Sequence, residues 1–127
     1  MNILLIEDDK RISDFVIKGL EENGFTVVLA ETGEAARDIV SKNDWDIILM
    51  DIKMPVMDGY AAMAYLKASD NRVPVIAVTA TAHPEEKIRI MSAGFAAYIS
   101  KPLDKDLLLQ TIRQLTQKES DVMYAGS

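Results

Sequence analysis

Short aliphatic runs alternate along this chain with stretches in which apolar residues recur every three or four positions, and the alternation repeats five times. Uninterrupted aliphatic runs predict strands covered on both faces, because a strand with one wet face would alternate apolar and polar. Residues 3–6 are the first such run. Over residues 10–22, Ile12, Phe15, Val16 and Leu20 fall on one helical face. Asn23-Gly24 then predicts a left-handed stop. Residues 25–30 predict the second strand, and Thr32 is placed to cap a helix with an inward stripe of Ala35, Ile39 and Val40 that ends near Asn43.

The third strand is predicted over 46–50, with Asp51 standing at its end. A turn over 53–57 follows, and Asp58-Gly59 opens a third helix over 61–66, Asp58 serving as its cap. Pro74 can begin the fourth strand, since a first position need not donate to the ladder. Residues 75–78 fill that strand, and Thr79-Ala80-Thr81 lies at its C-terminal end. Pro84 suits the first turn of a fourth helix with a thin stripe, Ile88 and Met91 with Ala93, stopped by Gly94. Residues 96–100 predict the fifth strand, Lys101-Pro102 follows, and Leu103, Leu107, Leu108, Ile112 and Leu115 define the last helix. Beyond Lys118 no period persists, so the expected organisation is one domain over 1–118, with 119–127 a flexible tail or the start of a linker.

Strands alternating with helices across short loops imply right-handed crossovers and a doubly wound α/β fold. The expected sheet has five parallel strands in the order 2-1-3-4-5, flanked by five helices. In that order the chain reverses direction between the first and third strands, leaving a crevice at their carboxyl ends. A chain of 127 residues accommodates this one domain and excludes most multidomain enzymes.

Composition narrows the function. A net charge of -6 offers no basic face for phosphate backbones, which argues against nucleic-acid binding by this domain. The absence of cysteine excludes a disulfide scaffold, a thiolate metal site and a cysteine nucleophile. The first residues run straight into Glu7-Asp8-Asp9 without a basic leader, and the apolar runs are too short to cross a bilayer. A soluble, cytoplasmic protein without membrane attachment is expected.

The crevice collects chemistry. Glu7, Asp8 and Asp9 follow the first strand, Asp51 ends the third, Thr79 the fourth and Lys101 the fifth. Neighbouring strands lie about 5 Å apart, so carboxylates from the first and third repel unless a cation offsets them. Mg²⁺, a hard ion held by carboxylates, waters and phosphate oxygens, suits that role. With Glu7, Asp8 and Asp51 ionised, a dication and Lys101 bring the site to neutrality, ready for a dianionic phosphoryl group. Other residues read more simply. Asp9 is a helix cap or solvent-facing group, His83 a surface residue, and Trp45 and the seven methionines core or loop packing.

Four stretches in order, Leu5-Ile6-Glu7-Asp8-Asp9, the run Met50-Asp51-Ile52-Lys53-Met54-Pro55-Val56-Met57-Asp58-Gly59, Ala77-Val78-Thr79-Ala80 and Tyr98-Ile99-Ser100-Lys101-Pro102, together resemble a response-regulator receiver domain, the phosphoacceptor module of two-component signalling. The resemblance spans Asn2 to about Thr116. It implies that Asp51 accepts a phosphoryl group from the phosphohistidine of a histidine kinase or phosphotransfer protein. Asp8, Asp51 and the backbone carbonyl of Lys53 would ligate Mg²⁺, with Glu7, more often Asp in the family, acting through water. Thr79 resembles the switch hydroxyl, Tyr98 the switch aromatic and Lys101 the phosphoryl-binding lysine. The Lys101-Pro102 bond resembles one that is usually cis. Phosphorylation would then alter the surface of the fourth helix, fifth strand and fifth helix, a face also suited to dimerisation. Such a domain is no enzyme beyond self-phosphotransfer and autodephosphorylation.

Three other readings are weighed. An aspartate-nucleophile phosphatase of similar fold would carry a second Asp two residues after the first, where this chain has Lys53. A flavodoxin-like electron carrier shares the strand order but needs a hydroxyl-rich phosphate loop after the first strand, which here is acidic. A receiver-like interaction module that is never phosphorylated would have little need of Asp51, Thr79 and Lys101 together. Lys53 and Thr81, each two residues past a site residue, are placed to shade the phosphoryl group from water.

Overall fold

The structure is a computed structural model that describes residues 1–42, 44–53, 59–68, 73–80 and 83–125, with the backbone alone at 59, 67–68 and 117–125. The elements are β1(Asn2–Ile6), α1(Lys10–Glu21), β2(Thr26–Ala30), α2(Gly33–Val40), β3(Ile47–Asp51), α3(Gly59–Ala68), β4(Val75–Thr79), α4(Pro84–Ala93), β5(Ala97–Ser100) and α5(Lys105–Ala125). The expected α/β architecture is present: five strands form one sheet in the order β2-β1-β3-β4-β5, and each neighbouring pair is parallel. Ile6 lies beside Met50, Asp51 beside Val78, and Thr79 beside Ser100, so the carboxyl ends of the central strands come level.

The aliphatic runs divide between the two faces of the sheet. Leu4, Ile6, Ile48, Met50 and Ala77 point to the side covered by α2, α3 and α4, where Ala36, Val40, Ala62, Leu66 and Ile90 meet them. Ile3, Leu5, Ile47, Leu49, Ile76 and Ile99 point to the side of α1 and α5, packed by Val16, Leu20, Leu108 and Ile112. Burying a Leu, Ile or Val side chain contributes about 1.5–3 kcal/mol. The two central layers therefore fix the strand register, and with it the positions of the residues at the strand ends. Trp45 is buried in the first of these layers, in agreement with its reading as packing.

Local signals set the boundaries. Asp9 caps α1 by accepting from the Arg11 N–H, and Thr32 caps α2 through the Ala35 N–H. Gly24 and Gly94 adopt φ of 87° and 101°, so each of these turns requires a residue free to enter the left-handed region. Pro84 occupies the first turn of α4 as expected, after an exposed His83 whose side chain makes no capping bond. Asn43 and Asp58, read as a helix end and a helix cap, lie outside the described residues.

Several inward faces differ from the hydrophobic pattern. On α1, Phe15 is 45% exposed, and the buried positions are Ser13, Val16, Gly19 and Leu20. Small residues at 13 and 19 occupy that face, and a Cβ at Gly19 would sit in ordinary contact with the Lys105 side chain of α5, at 3.5 Å. On α4, Ile88 and Met91 are exposed at 67% and 51%, and Ile90 is the fully buried residue. On α5, Leu107 is exposed whereas Leu108, Leu109 and Ile112 are buried. The backbone of α5 continues past Lys118, where the sequence shows no period, to Ala125.

Candidate functional site

The site is built where β1, β3, β4 and β5 end. Glu7 and Asp51 are 2% and 4% exposed, and Thr79 is 1% exposed. Charged groups this deeply buried persist only when paired or hydrogen-bonded, and the pairing is specific. Lys101 Nζ lies 3.3 Å from Asp51 Oδ2 and 3.7 Å from Glu7 Oε1, so one ammonium bridges carboxylates from two strands. Backbone donors complete the arrangement. The Lys53 N–H donates to Asp51 Oδ1 at 3.0 Å and the Asp9 N–H donates to Glu7 Oε2 at 3.2 Å.

Lys101 is carried to this point by the sheet. Its N–H donates to the Thr79 carbonyl at 2.7 Å, extending the β4–β5 ladder by one residue, and the following Lys101-Pro102 bond is cis. The Ile52 N–H likewise donates to the Val78 carbonyl just beyond β3, and the Glu7 N–H to the Ala30 carbonyl beyond β1. The site residues thus ride on continuations of the ladder and inherit its rigidity.

Glu7, Asp8 and Asp51 each offer a carboxylate oxygen within 4.8 Å of the others, Asp8 from an exposed position. Burial pushes the Glu7 carboxyl up to about 7, reinforced by a proton shared with the Asp51 carboxylate and by the charge of Asp51, while the Asp9 N–H and Lys101 oppose the shift. One lysine therefore does not neutralise the cluster. That residual demand for positive charge, with three oxygen donors converging, is the donor set of a hard dication such as Mg²⁺. Glu7, read from the sequence as ionised, holds its proton to near-neutral pH when no metal is bound.

The residues named from the sequence converge in part. Glu7, Asp8, Asp51 and Lys101 form one cluster, with Thr79 buried at the end of the next strand. Lys53 is exposed at the mouth, tied in by its N–H. Tyr98 stands apart on β5, half-buried against the α2–α3–α4 layer, with Lys87 Nζ of α4 5.6 Å from its ring centroid. Thr81 lies outside the described residues. A groove that the sequence reading missed opens beside the cluster, lined by Asp9, Arg11, Ile12, Phe15, Lys101, Pro102 and Leu103. Its sequence signal is Phe15, which helical periodicity places on one face with Ile12, Val16 and Leu20 and which the structure leaves in the groove lining.

A doubly wound sheet with an acidic pocket and a lysine at its switch point defines a class of phosphoryl-handling signalling domains. This chain belongs to the response regulator receiver domain family, which matches residues 3–113. It is 33% identical over 118 residues to the cell cycle response regulator CtrA of Brucella ovis, covering 93% of this chain and 51% of that protein. The chain thus spans about half the length of the curated relatives it matches. Among solved structures, the receiver domain of Francisella response regulator 1452 superposes with a TM-score of 0.89 at 30% identity, covering 93% of this chain and 98% of that one. The signal receiver domain of a histidine kinase from Syntrophus aciditrophicus gives 0.83 at 31%, covering 92% and 90%. The chemotaxis protein CheY4 of Vibrio cholerae gives 0.83 at 28%, covering 90% and 97%. The fold, the family and the phosphoacceptor role expected from the sequence agree with these likenesses. Among the described residues, no helix is long and apolar enough to cross a membrane.

Proposed function

We propose that Asp51 accepts a phosphoryl group from the phosphohistidine of a histidine kinase or phosphotransfer protein. The observation that carries this reading is the Lys101 ammonium placed between Asp51 and Glu7, two of three converging carboxylates that Asp8 completes. An Asp51 carboxylate oxygen forms the new P–O bond as the P–N bond to imidazole breaks, giving an acyl phosphate and returning the donor histidine. Lys101 balances the charge on the phosphoryl oxygens, and the Lys53 N–H holds the carboxylate in position for attack. Carboxylates of Glu7, Asp8 and Asp51 with the Lys53 carbonyl would hold Mg²⁺, Glu7 through water. Bound there, the ion supplies the positive charge that lets an anionic donor approach and stabilises the transferring group.

Thr79 is the hydroxyl next in line along the sheet edge, and it hydrogen-bonds the new phosphoryl oxygens by moving toward them. That movement frees space for the Tyr98 ring to pass from half-buried to buried, so the pair acts as a two-state element. The groove beside Lys101, with exposed Phe15 on its rim, is where the donor docks. Beside the edge strand β5, α4 leaves Ile88 and Met91 exposed and α5 leaves Leu107 exposed, a face fit for a dimer or an output partner. Such donors place the domain in the cytoplasm, and its chemistry is limited to self-phosphotransfer and autodephosphorylation. Incubation with a radiolabelled phosphorylated histidine kinase tests the reading: label passes to the wild type and not to Asp51→Asn. Turnover of added phosphoesters with no retained label would indicate a phosphatase instead.

A further inference from the structure

The corner between α3 and α4 holds a cluster that phosphoryl chemistry does not use. α4 fully buries one side chain, Ile90, whereas α1 buries four residues. What grips α4 in addition is Tyr60, half-buried in the first turn of α3. Its hydroxyl donates to Glu86 Oε1 at 2.8 Å. The Arg89 guanidinium sits 4.0 Å from its ring centroid, and the Phe95 ring meets it edge-on at 6.2 Å. Glu86 and Arg89 are neighbours on one helical face, so a single ring is held at its polar tip and across its plane. Lys87 leaves the helix on another side and covers the Tyr98 ring.

We propose that Tyr60, Glu86 and Arg89 form a clasp that sets the resting position of α4 and, through Lys87, the surroundings of Tyr98. Tyr60 is then a positioning residue of the signalling surface and takes no part in the phosphoryl site. Only its consequence for signalling rests on the reading of Tyr98 given above, because the clasp belongs to the resting protein. Ile90 is the one fully buried apolar anchor of α4, and the hydrogen bond and the cation over a ring that supplement it loosen at modest cost and weaken with salt.

Amide hydrogen exchange and the fluorine spectrum of 3-fluorotyrosine-labelled full chain, without any phosphodonor, test this. The Tyr98 resonance is assigned with Tyr98→Phe. Tyr60→Phe keeps the ring and deletes the donor, Arg89→Gln removes the cation, and Glu86→Gln retains the acceptor oxygen. Tyr60→Phe and Arg89→Gln should each speed exchange of α4 amides by about fivefold or more, leaving β1 unchanged, and should shift the Tyr98 resonance. Glu86→Gln should stay close to the wild type. The clasp is refuted if α4 exchange is unaltered by Tyr60→Phe, if β1 accelerates equally, or if the Tyr98 resonance is the same in every variant. Should these changes appear while Asp51 takes no phosphoryl group, the signalling reading fails and the clasp stands.

Discussion

The ends of β1 and β3 and the α4–β5 edge are built on opposite principles. Glu7 follows β1 and Asp51 ends β3, strands whose every inner residue is buried, and backbone donors or a lysine hold their oxygens. Across the sheet, α4 is anchored by Ile90 and by side chains that grip aromatic rings, with two of its large apolar residues left in solvent. The contrast separates two tasks. Phosphoryl transfer needs groups that do not reorganise as charge develops, while a signal needs an element whose position can change for a few kcal/mol.

The largest expected effect lies on the rigid side. Lys101→Met leaves Glu7 and Asp51 without their shared cation and should slow phosphorylation by small-molecule donors about 10²- to 10³-fold, measured as initial rate with Mg²⁺ saturating. A rate within threefold of wild type would show that the lysine is merely structural.

On the α4 side, two isoleucines two positions apart should behave differently. Ile90→Ala should cost about 2–5 kcal/mol in urea unfolding, whereas Ile88→Ala should stay within about 0.5 kcal/mol. Equal losses would mean that α4 is packed in another phase.

Glu7 gives the rigid site a pH signature. Below 4.5 the carboxyl is protonated in the folded and unfolded chain alike; as the pH rises toward about 7 the unfolded chain releases that proton while the fold still holds it. Metal-free protein should therefore lose stability over this window, about 3 kcal/mol from this group. Glu7→Gln should flatten that slope and raise the melting temperature above pH 7 while weakening Mg²⁺ binding. A steeper loss in the variant, or a wild type that gains stability from Glu7 as pH rises, would contradict the assignment.

The smallest effect expected is at the rim. Exchanging Lys53 for Ala or Glu should change the lifetime of the acyl phosphate a few-fold without altering its formation, read as loss of label after donor removal. A lifetime indifferent to position 53 would remove the shading role.

The same contrast governs how much the sequence disclosed. Strands buried on both sides announce themselves as unbroken aliphatic runs, and each lies within a residue or two of its expected place. Glu7, Asp8, Asp51 and Lys101, which the structure brings together, were legible because they stand where those runs stop. Helix faces were harder. On α4 the inward face is shared with Glu86, which reaches Tyr60, so a polar residue occupies a place where a hydrophobic pattern looks for an apolar one. The three-residue spacing of Ile88 and Met91 then suggested the wrong side. On α1, the small residues Ser13 and Gly19 take inward positions, and Phe15 is left at the groove. Both faces depend on contacts between distant segments, which local periodicity cannot encode.

The central claim is most directly examined by intact-mass spectrometry of the chain incubated with acetyl phosphate, with and without Mg²⁺, followed by mapping of the modified residue. The account predicts the gain of a single phosphoryl group that needs Mg²⁺, maps to Asp51 and disappears in Asp51→Asn. No mass gain under donor excess, or a modification that persists in Asp51→Asn, would contradict it.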